Sequence, residues 1–221
     1  MSTLAAEAPT VQFPLVKYAG EAGWTIISRD EAESRRRGEG GLFFYTELEA
    51  ALARLNPFLS PDEVRTVIQQ MEAAPATIEG NKEILEWLRG QRSVYVAAEK
   101  RTRNVSVIDF EKPDRNVFHV TYEWAYRNGP RKGNRADVMF LINGVPVAIV
   151  ENKNPKDARA MEKAQVQLRR YELETPEMLT APQLFNITHL IEYFYGVTWN
   201  YQRKFIFNWR EEQPGPYEKK V

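Results

Sequence analysis

Residues 135–153 read RADVMFLINGVPVAIVENK. Two apolar runs, 138–142 and 145–150, flank Asn143-Gly144, the dipeptide that most strongly signals a tight hairpin turn. At the far end of that hairpin stand Asp137 on one arm, and Glu151 and Lys153 on the other. Strand residues two apart share a face, so Glu151 and Lys153 point the same way. Charges at the mouth of an apolar hairpin cost free energy unless they pair or bind a cation. The competing reading is a surface Glu–Lys pair, which contributes little to stability.

The chemistry these residues suit is metal-assisted hydrolysis of a phosphodiester. Two converging carboxylates are hard oxygen ligands for Mg²⁺, which binds through one or two carboxylates plus waters and substrate phosphate. A neighbouring lysine can orient the attacking water or offset charge that builds on phosphorus. Register is the difficulty. A regular two-residue turn pairs Asp137 with Val150, which puts Asp137 and Glu151 on opposite faces. Convergence therefore requires a bulge, or an Asp137 that lies before the regular ladder.

Downstream, residues 156–174 (KDARAMEKAQVQLRRYELE) contain good helix formers and no Gly or Pro. At helical spacing Met161, Ala164, Leu168 and Tyr171 form an apolar stripe. Lys156, Arg159, Lys163, Gln167 and Arg170 form a polar stripe beside it. Gln167 and Tyr171, at i and i+4, are neighbours where the stripes meet.

The Asp…Glu-x-Lys arrangement resembles the PD-(D/E)xK nucleases, with Ala136 where a proline usually precedes the Asp. The run DVMFLINGVPVAIVENKNP (137–155) closely resembles the N-terminal nuclease domain of type I restriction-enzyme R subunits. The resemblance extends upstream through Val107-Ile108-Asp109, residues 116–120 and Arg135, and downstream through Gln167–Tyr171 and the strand-like 189–199. It implies Asp137 and Glu151 as Mg²⁺ ligands, Lys153 as the catalytic lysine, and Gln167 and Tyr171 as residues that place DNA or metal-bound water. It also implies double-stranded DNA as substrate, methylation and specificity subunits as partners, and a cytoplasmic setting. A helicase motor would follow in the same polypeptide and be the part that uses ATP.

This chain has 221 residues and no Gly-x-x-x-x-Gly-Lys-Ser/Thr phosphate loop, so by itself it is not the motor. It is either a fragment or a free-standing relative, and the polar tail from 211 to 221 reads as the start of a linker. Two readings of different class stay open: an endonuclease domain, and a catalytically silent DNA-binding or assembly module. A free-standing nuclease of the junction-resolvase kind would need a dimer surface that the sequence does not display.

Composition sets outer limits. Hydrophobic residues make up 43% of the chain, enough for a sizeable core. No apolar run approaches the ~20 residues of a membrane helix, and MSTLAAEAP lacks the regions of a signal peptide. With no cysteine, disulfide and thiolate chemistry are excluded. Two histidines, His119 and His189, make a zinc site or a Ser-His-Asp triad hard to assemble and read as packed or strand-surface residues. Net charge is zero, so contact with nucleic acid needs local concentration of base. The segment RNGPRKGNR (127–135) supplies Arg127, Arg131, Lys132 and Arg135 without an acid; the polar stripe of the 156–174 helix is the second such place. Arg35-Arg36-Arg37 reads as a solvated loop.

For the rest, the patterns predict helices over 10–22, 45–55, 60–73 (with a capping box at Ser60-Pro-Asp-Glu63) and 81–89. Strands are expected at 93–97, 104–110 and 117–126. In the last, Phe118, Val120, Tyr122, Trp124 and Tyr126 alternate as one core face against His119, Thr121 and Glu123. The fold class is α/β: a restriction-endonuclease-like mixed β-sheet flanked by helices. Residues 1–92 form a mainly helical part, 93–210 the nuclease core and 211–221 a tail.

Overall fold

The computed structural model describes residues 12–130, 132–154, 159–188 and 192–209. The described residues open with α1 (Phe13–Glu21), a short strand β1 (Thr25–Ile27) and α2 (Arg29–Arg35). Three further helices follow, α3 (Tyr45–Leu55), α4 (Pro61–Glu72) and α5 (Ile78–Leu88), then a small ribbon of β2 (Ser93–Val96) and β3 (Arg101–Asn104). The remainder alternates β4 (Phe118–Tyr126), β5 (Asn134–Ile142), β6 (Val145–Asn152), α6 (Ala160–Glu174), β7 (Leu184–Thr188), β8 (Tyr193–Val197) and β9 (Phe207–Trp209). Seven strands form one sheet in the order β1-β4-β5-β6-β7-β8-β9. The β1–β4 and β6–β7 pairs are parallel and the others antiparallel. This is the expected mixed sheet with flanking helices.

The β5–β6 hairpin is its centre. Asn143 and Gly144 both have positive φ, 51° and 82°, as a type I′ turn demands. Asn143 is fully buried: its amide donates to Val107 O and Asn116 Oδ1, and its Oδ1 accepts from the Val117 N–H. A Cβ on Gly144 would lie 2.4 Å from Phe44 O. Gly144→Ala therefore combines a left-handed alanine with overpacking, and a loss of about 3 kcal/mol is expected. Chemical denaturation should show it as a lower midpoint at unchanged slope.

Register then changes inside the hairpin. Ile142 pairs with Val145 and Leu141 with Pro146, but Phe140 pairs with Ala148 and Val138 with Val150. Val147 is the extra residue, and its carbonyl accepts from Gln183 N–H. Pro146, which brings no N–H to the ladder, stands immediately before it, as proline in sheets does at bulges. The required bulge is present. Continued by one residue, the shifted register sets Asp137 across from Glu151.

One face of the sheet packs on α6 through Met139, Leu141, Ile149, Ala164, Leu168 and Tyr171. The other packs on α1, with Val16 and Ala19 against Val120, Val138 and Val150. Here the expected single aromatic face of β4 is corrected. Val120 and Tyr122 lie with α1, whereas Trp124 and Tyr126 join the opposite cluster. The cause is Glu123, whose φ of 53° is a left-handed conformation in mid-strand that turns the alternation over. Ala136 on β5 changes sides with it, although Tyr122–Val138 and Trp124–Ala136 keep their pairing.

The helices α3, α4 and α5 form an annex whose core includes Leu48, Leu52, Val67, Met71 and Trp87, together with Val145 at the hairpin tip. The capping box at Ser60 and Glu63 is formed. The strand expected at 104–110 is corrected to β3, which ends at Asn104. Val105 and Val107 are buried as strand residues would be, but Asn56 replaces a partner strand: its amide donates to Ser106 O and its Oδ1 accepts from Ser106 N–H, both at 2.8 Å. Arg35-Arg36-Arg37 is no solvated loop either. Arg36 is 2% exposed, donates to the carbonyls of Ala32, Gly41 and Ala125, and stacks 3.8 Å from the Trp124 ring centre. Burial lowers its pKa to about 10. No described helix is long and apolar enough to cross a membrane.

Candidate active site

With the bulge, Asp137 and Glu151 both face α6: Glu151 is bonded to Tyr171, and Asp137 shares a cleft with Gln167. Lys153, two residues beyond Glu151, shares that face. Its ammonium donates to Gln167 Oε1 at 2.9 Å and to Asn152 O at 3.1 Å, and lies 3.4 Å from Glu151 Oε2. Its backbone N–H is anchored to Thr188 O on β7, which fixes the end of β6. Asp137 Oδ2 accepts from the Asn152 N–H at 2.7 Å, and its carbonyl accepts from the Gln12 side chain.

On α6 the i, i+4 pair faces this point as expected. Gln167 Nε2 donates to the Tyr171 hydroxyl at 2.6 Å, so one amide bridges the lysine and the phenol. The hydroxyl lies 2.8 Å from Glu151 Oε1 and 2.6 Å from Arg135 O. A phenol has one proton. If it goes to the Arg135 carbonyl, the bond to Glu151 closes only when Glu151 carries the proton and donates.

Electrostatics agree with that proton. Glu151 is fully buried, and burial with Asp137 beside it pushes its pKa up to about 8, against the opposing effect of Lys153. Asp137 is raised by burial too, offset by Lys153, the Asn152 N–H and Arg135. Burial, then the charge of Glu151, holds the Tyr171 phenol far above its usual value. Two acids with raised pKa values side by side form a site that gains from a cation.

An open cleft of about 890 Å³ leads to this cluster, lined by Asp137, Gln167 and the bases Arg127, Lys132, Arg135 and Arg170. Arg159 and Lys163 line a separate depression with Glu162 and Val166. Arg131, Lys156 and His189 lie outside the described residues. His119 is buried on β4, and burial lowers its pKa.

Sequence reasoning missed four residues at this cleft. Arg29, Glu39 and Glu174 line it, and Glu123 pairs with two of its arginines. Ser28 caps α2, accepting from Glu31 N–H. Nothing local announced that Arg29 would meet β4.

A family model described as type I restriction enzyme R protein N terminus matches residues 5–207. A Methanocaldococcus jannaschii protein assigned as the type I restriction enzyme MjaIXP endonuclease subunit is 32% identical over 114 residues, 49% of this chain and 11% of that protein. A Haemophilus influenzae protein, the type I restriction enzyme HindI endonuclease subunit, is 27% identical over 165 residues, 72% of this chain and 16% of that protein. The chain thus spans a small fraction of the length of these relatives. With the matched model covering nearly all of it, the chain belongs to the family of type I restriction enzyme R protein N-terminal domains.

Proposed function

We propose that the chain is the Mg²⁺-dependent DNA endonuclease domain of a type I restriction enzyme R subunit, cleaving double-stranded DNA without sequence preference of its own. The observation that carries this reading is the register shift in the hairpin. Continued past Val138–Val150 it brings Asp137 beside Glu151, and Glu151, Lys153, Gln167 and Tyr171 are joined in one hydrogen-bonded group, with Asp137 bonded to the neighbouring Asn152 N–H. Sequence choice would rest with a specificity subunit, and a methylation subunit and an ATP-driven motor in the same polypeptide would complete the enzyme.

The donor set fits Mg²⁺. Two adjacent carboxylates, with no third acid grouped with them among the described residues, suit an ion that retains waters and takes substrate phosphate. Asp137 and Glu151 would hold it, and when bound it would polarise the phosphodiester and acidify an attacking water. Glu151 must first lose its proton, whereupon the Tyr171 hydroxyl can turn to the carboxylate as donor. Lys153, oriented by Gln167, would offset the negative charge that develops on the scissile phosphate. Gln167 and Tyr171 act by positioning. Arg127, Lys132, Arg135 and Arg170 bind the phosphate backbone, and Arg131, Lys156, Arg159 and Lys163 extend that set.

A buried lysine bonded to a buried glutamate is costly to keep for stability alone, which favours the nuclease over a silent module of the same fold. The test is metal-linked stability. Mg²⁺ should raise the melting temperature of the wild-type domain by ligand linkage, and Asp137→Ala should fold yet lose that response. A metal response unchanged in Asp137→Ala would remove this pair as the metal site.

A further inference from the structure

Among the described residues, Glu123 is the acid of this region held in a strained backbone. Its φ of 53° lies in the left-handed region that residues other than glycine adopt at a cost, and such strain tends to persist at functional sites. Its carboxylate lies between two guanidinium groups. Oε2 is 3.6 Å from Arg29 and Oε1 is 3.2 Å from Arg135. All three side chains stay accessible, at 43% for Arg29, 29% for Glu123 and 38% for Arg135. Pairs this open contribute little to stability; the left-handed turn that sends Trp124 into the core also brings the Glu123 carboxylate to these two arginines.

Arg29 and Arg135 both line the cleft that contains Asp137. Two arginines flanking a pair of oxygens is also the arrangement that grips the non-bridging oxygens of a phosphate. The neighbouring arginines of the cleft repeat the theme: Arg127 lies 3.4 Å from Glu39, and Arg170 lies 3.9 Å from Glu174.

We propose that Arg29 and Arg135 form a phosphodiester subsite beside the active centre, and that in the free protein the Glu123 carboxylate occupies it as an internal competitor of DNA. The inference rests on the nuclease reading and extends it by a residue, Arg29, and by a mechanism that keeps the empty cleft close to neutral. DNA enters when a backbone phosphate replaces Glu123 between the two guanidiniums. Glu123 then faces solvent.

The test is binding of a short labelled DNA duplex in EDTA, followed by anisotropy across a salt series, so that cleavage plays no part. Glu123→Gln keeps the side-chain volume and makes the same backbone demand, and its melting curve checks the fold. It should bind about two- to fivefold tighter at low salt, because one exposed ion-pair competitor is gone. Its log–log salt slope should steepen by about 0.9 for each additional phosphate that the freed arginines neutralise. Arg29→Ala should weaken wild-type binding slightly, yet remove most of the gain when combined with Glu123→Gln. Unchanged or weaker binding by Glu123→Gln, beside a wild type that binds, overturns the subsite and leaves the nuclease reading standing. A gain that persists in full without Arg29 also overturns it. If no variant binds duplex, wild type included, the nuclease reading fails first and the subsite with it.

Discussion

Lys153→Ala is expected to lower DNA cleavage by about a hundredfold or more while duplex affinity stays close to wild type. The size follows from losing a preorganised charge that acts where negative charge develops, an effect of roughly 10²–10³ in rate. Affinity should hold because Lys153 is 6% exposed and already engaged by Gln167, Asn152 and Glu151. In the proposed mode the cleft arginines, not Lys153, hold the phosphate backbone. Gln167→Ala and Tyr171→Phe should lose less, since each acts through a neighbour. Tyr171→Phe keeps the ring that fills the α6 interface and removes only the hydroxyl. Parallel measurement of cleavage rate and duplex affinity separates these roles: a fall in affinity matching the fall in rate would make Lys153 a docking residue.

The second large effect is proton release on metal binding. Glu151, with its pKa pushed to about 8, is protonated at neutral pH, and Mg²⁺ must displace that proton. Apparent Mg²⁺ affinity should therefore rise by about tenfold per pH unit below pH 8 and level off above it. Stability without metal runs the other way. The folded-state pKa lies above the unfolded value, so the folded form binds the extra proton between them. That contribution is complete below the ordinary carboxylate range and is lost as pH rises towards about 8. Asp137, also raised, acts in the same direction. Glu151→Gln removes the titrating group, so its metal-free stability should be flatter over this window. Calorimetry in buffers of different ionisation heat reads the proton directly; Mg²⁺ binding with no proton released at pH 7 would contradict the assignment.

Much of this was legible in the primary structure because it is local. Asn143-Gly144 encodes its turn in two residues, Ser60 and Glu63 encode a cap in four, and the α6 stripe repeats over a continuous segment. Even the bulge followed from local logic, since a regular turn would have separated Asp137 and Glu151. What escaped depends on distant partners. Val105 and Val107 alternate like a strand, yet the side chain of Asn56, far away in sequence, supplies the hydrogen bonds that a neighbouring strand would give. Arg36 looks solvated among charged neighbours, but the Ala125 carbonyl and the Trp124 ring draw it inside. The change of face in β4 turns on one backbone angle at Glu123, a residue whose type gives no hint of left-handed geometry. The cleft acids were invisible for the same reason: Glu39 lies in a loop, Glu123 on β4 and Glu174 at the end of α6, and they meet the cleft only in the folded protein.

Whether the hairpin carrying Asp137, Glu151 and Lys153 is where phosphodiester bonds are cut is decided by one variant, Asp137→Ala, placed in the R subunit proposed above and assembled with the proposed methylation and specificity subunits. Double-strand cleavage is followed alongside ATP hydrolysis. ATP hydrolysis at the wild-type rate with no double-strand breaks is the expected result. Breaks formed at the wild-type rate by that variant would contradict it.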